Sequence, residues 1–232
     1  MSKSDKHGNY ANGLIITMDG PAGAGKSTVA RMLAHKLGYS LLDTGAIYRA
    51  TALHLIRQGV DPDSKKVPES ALSSMELHVD LTLGSMRLFL GTDDVTNAIR
   101  DERIASIASK FSAQPEVRYA LLSVQREIAG SGRIVAEGRD MGSVVFPHAQ
   151  VKFFITADLK ERSRRRYEEL LRYGIEVKLD EVEKEMQIRD NRDTSRSDAP
   201  LVCPPDAMVI DTTECSPEEI VEIMIKYIWE IH

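Results

Sequence analysis

The chain has 232 residues, 42% of them apolar, which suits one globular domain with a modest insertion or one large domain. Its net charge is −5, whereas a general nucleic-acid binder is normally basic, so an acidic chain that binds phosphates must gather its arginines locally. It has no apolar run of the roughly 18 residues that a membrane span requires, so no membrane partner is expected.

Residues 1–12 are polar and lack the apolar centre of a secretory signal, so we expect them to form a disordered extension. Cys203 and Cys215 form neither a C-x-x-C pair nor a disulfide framework. Free thiols in a reducing cytoplasm are the expectation, and we expect a monomer.

Five short apolar runs predict buried strands, and several are continuous rather than alternating, which is typical of a parallel sheet covered on both faces. The predicted strands are Leu14–Met18, Ser40–Leu42, Ile134–Ala136, Val151–Ile155 and Met208–Ile210. Apolar residues spaced by three and four predict helices between them, which are Lys26–Leu37, Val117–Ala129, Leu159–Arg172 and Pro217–Trp229. The alternation predicts an α/β fold with a five-stranded parallel core sheet, formed by residues 13–59 and 97–232.

One region breaks the alternation. Between Glu76 and Leu90 apolar residues alternate with others, and Gly84-Ser85 supplies a turn, which predicts an antiparallel hairpin. We interpret residues 60–96 as a small insertion in the core.

A glycine-rich segment follows the first predicted strand and matches the P-loop pattern G-x-x-x-x-G-K-[ST]. Its backbone N–H groups would surround a phosphate, the Lys26 side chain would bridge the β- and γ-phosphates, and the Ser27 hydroxyl would ligate Mg²⁺. The residues expected to bind ATP are Gly20, Pro21, Ala22, Gly23, Ala24, Gly25, Lys26, Ser27 and Thr28. The strand before and the helix after favour this interpretation over a chance glycine-rich turn.

P-loops also occur in switches and motors, so the motif alone does not name a reaction. A guanine-nucleotide switch needs an N-K-x-D motif, and the dipeptide Asn-Lys does not occur in the sequence. A motor or DNA-acting ATPase is usually longer and more basic. These considerations favour a kinase whose acceptor binds beside the P-loop.

Two clusters lie where strands end, which is where ligands bind in open α/β sheets. Asp43–Arg49 follows the second strand and would present Thr44 and Arg49 to an anion, the alternative being that Asp43-Thr44 only caps a helix. Glu137–Gly142 follows the third, where Arg139 is placed for a phosphate and Asp140 for a base or sugar. The alternative there is a local surface ion pair.

Arginines are dense between Arg162 and Arg196. Arg189, Asp193 and Arg196 are spaced to share one helical face, and guanidinium groups stabilise the charge of phosphoryl transfer. A helix–turn–helix around Tyr173-Gly174 could close as a lid over about 160–195. The alternative, at its strongest for Arg164 and Arg192, is that these arginines pair with glutamates on a solvated helical face.

Together the P-loop, Asp43–Arg49, Gly138–Pro147 and Arg189–Arg196 resemble the bacterial cytidylate kinases from about Leu14 to the C-terminus. The resemblance implies a nucleoside monophosphate kinase fold with a lid and an enlarged monophosphate-binding domain, transfer of phosphate from ATP to CMP or dCMP, poor use of UMP, and a place in pyrimidine nucleotide metabolism. It also implies that Arg49, Arg139 and Arg196 hold the acceptor phosphate. The resemblance further implies that the base is contacted by Ser109, Arg118 and Asp140 and the sugar by Arg189 and Asp193. It implies that the walls of the acceptor site include Thr44 and Tyr48, and that the transferred phosphoryl group is contacted by Arg165.

Two alternatives stay open from the sequence. A kinase for another small acceptor, such as a different nucleoside monophosphate or shikimate, would share the P-loop but need other acceptor residues. A nucleotide-binding switch or RNA-associated regulator would predict salt-sensitive polynucleotide binding, which the acidic net charge disfavours.

Overall fold

The computed structural model describes residues 13–130 and 132–231, so the predicted extension at residues 1–12 lies outside the described residues. The strands are β1 (Ile15–Asp19), β2 (Ser40–Asp43), β3 (Leu77–Thr82), β4 (Ser85–Leu90), β5 (Asp93–Asp94), β6 (Ile134–Glu137), β7 (Val151–Thr156) and β8 (Met208–Asp211). The helices are α1 (Lys26–Leu37), α2 (Thr44–Arg57), α3 (Glu69–Ser73), α4 (Glu102–Phe111), α5 (Pro115–Ile128), α6 (Leu159–Arg172), α7 (Leu179–Ser195) and α8 (Pro217–Ile231).

The core is a five-stranded parallel sheet with the order β2-β6-β1-β7-β8. The predicted α/β fold is therefore confirmed, and each of the five predicted strands lies within one residue of its observed bounds. The P-loop strand β1 occupies the centre, between β6 and β7. Ligands that bind after β1 and β6 therefore lie side by side.

Both faces of the sheet are covered, which explains why its strands are continuously apolar. Ile134 packs in a core cluster with residues of α2, α4 and α5. Its neighbour Val135 points to the opposite face and packs with residues of α1 and α8.

The predicted hairpin is present as β3 and β4, which pair antiparallel in register from Leu77↔Leu90 to Thr82↔Ser85. Gly84 lies in the turn with a φ of 67°, a left-handed conformation that glycine adopts without strain. The short strand β5 adds a third member to this second sheet. The hairpin therefore stands beside the core sheet as a separate antiparallel element.

The predicted helix–turn–helix is also present, as α6 and α7 joined through Gly174, whose φ is 73°. Helix α7 ends at Ser195, and Arg196 is its C-cap, with φ −63° and ψ 145°. The side chain of Arg196 still lies beside that of Asp193, because its Nη1 is 3.9 Å from the Asp193 carboxylate. The predicted shared face of Arg189, Asp193 and Arg196 is therefore confirmed, and all three residues line one cleft.

Among the described residues, the apolar helices are all too short or too polar to cross a bilayer.

Candidate active site

Three strands of the core sheet end at the same edge, and each is followed by one of the segments predicted to bind ligands. Asp43 at the end of β2 and Met18 of β1 are both register partners of Glu137 at the end of β6. A cleft of about 1760 Å³ opens there, lined by the P-loop, the start of α2, the segment after β6, and residues of α4, α6 and α7.

The P-loop turns tightly because Gly23 and Gly25 take left-handed conformations, with φ of 73° and 83°. Seven of the nine residues predicted to bind ATP line the cleft, from Ala22 to Thr28. Gly20 and Pro21 do not line it. Gly20 instead packs against β7, where a Cβ would lie 1.9 Å from the carbonyl oxygen of Ile155, so its role is close backbone packing.

Lys26 begins α1 and is only 6% exposed. Its Nζ donates to the carbonyl oxygen of Pro21 at 2.5 Å, which folds the side chain back over the loop. Burial lowers the pKa of Lys26 well below its ordinary value, and the positive charge of Arg139 is the second largest cause of this shift. An anionic phosphate bound between these two cations would relieve that repulsion.

Ser27 and Glu137 come from opposite sides of the cleft and meet at its floor. The Ser27 Oγ donates to Oε2 of Glu137 at 2.8 Å, and Oε1 of Glu137 is buried without a hydrogen-bond partner. Burial, followed by the Asp43 carboxylate, raises the pKa of Glu137. A hydroxyl and a carboxylate with a spare oxygen fit Mg²⁺, which takes one or two protein oxygens together with substrate phosphates and water. Sequence analysis assigned Glu137 no such role.

The Asp43–Arg49 segment caps α2 and also faces the cleft. The Asp43 carboxylate accepts from the backbone N–H of Ala46 at 2.8 Å and from Arg49 at 3.2 Å. Thr44 is buried and donates to the carbonyl oxygen of Glu137 at 2.7 Å. The cap that was the alternative interpretation is therefore real, and it coexists with Thr44 and Arg49 in the wall of the cleft.

The segment after β6 continues as a π-helical turn, Met141–Val145, which is held by a residue that sequence analysis missed. Asp19, the last residue of β1, accepts from the backbone N–H groups of Met141 at 2.8 Å and Gly142 at 2.7 Å. Burial raises the pKa of Asp19 to about 6 against the opposing effect of these two hydrogen bonds. Asp19 thus joins the strand that precedes the P-loop to the segment that carries Arg139 and Asp140.

Arg139 and Asp140 are turned into the cleft rather than paired with each other at the surface, so the alternative of a local ion pair is wrong. Arg139 Nε donates to Asp193 of α7 at 2.9 Å, and Asp140 forms a buried ion pair with Arg118 of α5. The Arg118 guanidinium also lies over the ring of Tyr48, 5.6 Å from its centroid. Burial raises the pKa of both Asp140 and Tyr48.

Three arginines of the cleft keep buried nitrogens without a hydrogen-bond partner: Nε of Arg49, Nε of Arg189 and Nη2 of Arg196. Arg196 lies 3.7 Å from Asp140 and 3.9 Å from Asp193, and its Nε donates to the carbonyl oxygen of Ala199 at 2.6 Å. Burial, followed by the charge of Arg139, lowers the pKa of Arg189 to about 10. Guanidinium groups that keep buried nitrogens without a hydrogen-bond partner in one cleft make an anion-binding site.

The lid arginines divide into distinct groups. Arg165 lies above the P-loop, where it donates to the carbonyl oxygen of Thr212 at 2.6 Å and to Glu161 at 2.8 Å. Arg162, which sequence analysis did not single out, is buried and donates to the carbonyl oxygen of Ala22 at 3.0 Å and to Asp190 at 2.7 Å. It therefore fastens both lid helices to the P-loop.

Arg164 pairs with Glu161 at 2.8 Å and with Glu168 on the outer face of α6, as the surface alternative predicts. Arg192 departs from that alternative. It reaches across the cleft and donates to the hydroxyl of Ser109 on α4 at 2.8 Å.

Comparisons with known proteins find relatives along almost the whole chain. The family model described as cytidylate kinase matches residues 16–230. A cytidylate kinase of Caldanaerobacter subterraneus subsp. tengcongensis is 48% identical over 208 residues, covering 89% of this chain and 91% of its own. A cytidylate kinase of Vibrio cholerae serotype O1 is 44% identical, covering 92% of this chain and 95% of its own. Among solved structures, a shikimate kinase from Acinetobacter baumannii is 15% identical with a TM-score of 0.47, covering 94% of each chain.

Proposed function

The chain belongs to the cytidylate kinase family, and we propose on that basis that it transfers the γ-phosphoryl group of ATP to CMP or dCMP. The products are ADP and CDP or dCDP, and the enzyme is a (d)CMP kinase of pyrimidine nucleotide metabolism. The observation that carries the proposal is that Arg49, Arg189 and Arg196 each keep a buried guanidinium nitrogen without a hydrogen-bond partner and share one cleft with the P-loop.

On the ATP side, the backbone N–H groups of the P-loop bind the β-phosphate, and Lys26 bridges the β- and γ-phosphates. Ser27 would hold Mg²⁺, with Glu137 beside it to accept hydrogen bonds from its water ligands. The ion supplies neutralisation of phosphate charge when it is bound. The Lys26 side chain is held beside the P-loop because its Nζ donates a hydrogen bond to the Pro21 carbonyl oxygen.

On the acceptor side, Arg49, Arg139 and Arg196 hold the monophosphate. Arg189 and Asp193 contact the sugar, and Thr44 and Tyr48 complete the walls. The base is read by Ser109, Arg118 and Asp140. The Arg118–Asp140 ion pair presents a donor and an acceptor in fixed positions, which suits the amine and ring nitrogen of cytosine.

The chemical step is an in-line displacement. A phosphate oxygen of CMP forms a bond to the γ-phosphorus while the bond from that phosphorus to the β,γ-bridging oxygen breaks, and ADP leaves with the electron pair. The attacking oxygen is already anionic near neutral pH, so no strong general base is needed. Lys26, Arg139, Arg165 and Arg196 position the two phosphates and stabilise the charge that is spread during transfer.

We further propose that residues 60–96 form the monophosphate-binding insertion, that about 160–195 act as the lid, and that 13–59 and 97–232 form the core. The hairpin and the α6–α7 pair support this division. We also propose a cytoplasmic monomer. Cys203 and Cys215 are both free thiols, which suits a reducing compartment, and one chain supplies every residue of the proposed site.

A coupled assay of ADP release across a panel of acceptors tests the function. The panel contains CMP, dCMP, UMP, AMP, GMP and shikimate, with a no-acceptor control for ATP hydrolysis. We expect kcat/KM to be greatest for CMP and dCMP. Faster turnover of AMP, GMP or shikimate, or hydrolysis that no acceptor stimulates, would refute the proposal.

A further inference from the structure

Two polar contacts join helix α4 to the lid helices across the mouth of the cleft. Glu102, at the start of α4, forms an ion pair with Arg166 of α6. About two turns further along α4, the hydroxyl of Ser109 accepts a 2.8 Å hydrogen bond from Nη1 of Arg192 on α7. The first contact involves no residue proposed to bind a substrate, whereas the second ends on a residue proposed to read the base.

The chemistry of the second contact restricts Ser109. An arginine side chain has only donors, so the Ser109 oxygen must accept from it and keeps its own proton and one lone pair for another partner. Ser109 is 6% exposed, and a serine inside a helix commonly turns back to donate to the preceding turn. The hydrogen bond from Arg192 on α7 instead holds the Ser109 oxygen toward the cleft.

A fixed hydroxyl matters for choosing between two pyrimidines. Cytosine and uracil differ in an amine against a carbonyl group and in a bare ring nitrogen against an N–H. A hydroxyl that turns freely can donate to one and accept from the other, so it would accommodate both bases. A hydroxyl whose oxygen is held by Arg192 has fewer orientations left and discriminates more strongly.

The position of Arg192 on its helix connects this effect to lid closure. Arg189 and Asp193, which are proposed to contact the sugar, lie on α7 within one turn of Arg192. When α7 lies over the cleft, the same helix brings the sugar contacts to the acceptor and the arginine to Ser109. Arg162 ties that helix to the P-loop through Asp190 and Ala22.

We propose that Arg192 is a positioning residue that couples recognition of the acceptor base at Ser109 to closure of the lid, and thereby increases discrimination between CMP and UMP. The inference rests on the proposed function. It concerns a residue that acts through Ser109 and not one that contacts the reacting atoms.

The test measures kcat/KM for CMP and for UMP in the wild type, Arg192→Gln, Ser109→Ala and the double variant. Both acceptors carry the same phosphate, so the ratio of their kcat/KM values cancels any general loss of phosphate affinity or of folded protein. We expect Arg192→Gln to lower the CMP-to-UMP ratio by about tenfold, the order of one hydrogen bond to a charged group. Ser109→Ala should lower it similarly, and the double variant should lower it no further.

Two further variants serve as controls. Lys184→Gln removes a positive charge from the exposed face of the same helix and should leave the ratio unchanged. Arg166→Gln breaks the other contact to α4, so it should lower kcat/KM for CMP and UMP by the same factor. If Arg192→Gln folds poorly, Arg192→Lys, which keeps the charge but not the reach, should still reduce the ratio.

Equal losses for CMP and UMP in Arg192→Gln would overturn the inference, as would effects of Arg192→Gln and Ser109→Ala that multiply in the double variant. The two levels of proposal fail separately. A wild type that does not prefer CMP refutes the function and the inference together. A wild type that prefers CMP, with an unchanged ratio in Arg192→Gln, refutes only the inference.

Discussion

The hydroxyl of Ser27 and the carboxylate of Glu137 are joined by a 2.8 Å hydrogen bond, so the start of α1 and the end of β6 meet at one point on the floor of the cleft. The second carboxylate oxygen is buried and unpaired. A buried oxygen without a hydrogen-bond partner destabilises the folded protein unless a ligand supplies the missing partner.

We therefore expect Glu137→Gln to raise the Mg²⁺ concentration for half-maximal activity by about tenfold, because the amide keeps the shape but loses the charge that attracts the hydrated ion. Initial rates at fixed ATP and CMP over a Mg²⁺ titration measure this. Glu127→Gln, exposed on α5, is the matched control. An unchanged Mg²⁺ requirement in Glu137→Gln would remove Glu137 from the metal site.

Lys26→Met should lower kcat by at least about 100-fold while leaving the fold intact, because it removes the cation proposed to stabilise the transferred group but keeps an unbranched side chain of similar length. Lys26 is buried among other positive charges, and burial lowers its pKa, so its removal should not lower the unfolding temperature. Steady-state rates and thermal unfolding are measured on the same preparation. Near-normal turnover in a folded variant contradicts the assigned role.

Arg139→Ala should raise KM for CMP by about tenfold and also lower kcat, because the guanidinium is proposed to hold the acceptor phosphate in both the ground state and the transition state. It also leaves Asp193 without the partner that lies 2.9 Å away. The control is Arg87→Ala, which removes an exposed arginine of β4 from an ion pair with Asp94 of β5. If KM for CMP is unaffected and only KM for ATP rises, Arg139 binds the donor instead.

Asp19 predicts a pH dependence of stability. Burial raises its pKa from 3.8 to about 6, so between these values the folded protein binds more protons at this site than the unfolded chain. Stability contributed by the site therefore falls as pH rises through that window and is constant above it. The charge of Asp140 adds to this increase in pKa, and the charge of Lys26 opposes it.

The difference in free energy of unfolding between the wild type and Asp19→Asn isolates this site. We expect that difference to change in disfavour of the wild type by as much as about 3 kcal/mol between pH 4 and pH 6.5. Urea unfolding at half-unit pH intervals measures it. A difference that is flat over the window, or that changes with the opposite sign, would show that Asp19 ionises normally.

The strands, the P-loop and the hairpin could be predicted from the sequence because each depends on a local pattern of apolar residues and glycines. Arg49 and Arg139 could be placed near each other because strand ends meet at one edge of a parallel sheet. The spacing of Arg189, Asp193 and Arg196 correctly predicted a shared face, although α7 itself ends at Ser195.

Asp19, Glu137 and Arg192 could not be assigned from the sequence. Asp19 acts on backbone N–H groups more than a hundred positions away, and Glu137 acts on Ser27 at a similar separation. The partner of Arg192 lies on another helix on the far side of the cleft. Each role depends on which segments the tertiary fold brings together, and a charged residue in isolation gives no indication of that.

The central place of β1 in the sheet has a consequence for how the chain reaches its native state. Ile15 pairs with Ile134, and Ile16 pairs with Val151, so β1 is synthesised more than a hundred residues before either of its neighbouring strands. Contacts between residues so far apart in sequence slow folding, and they leave the apolar strand β1 exposed until its neighbours have formed. Nascent chains that stop before residue 134 should consequently aggregate or recruit chaperones, and acquire nucleotide affinity only once β6 and β7 have been synthesised.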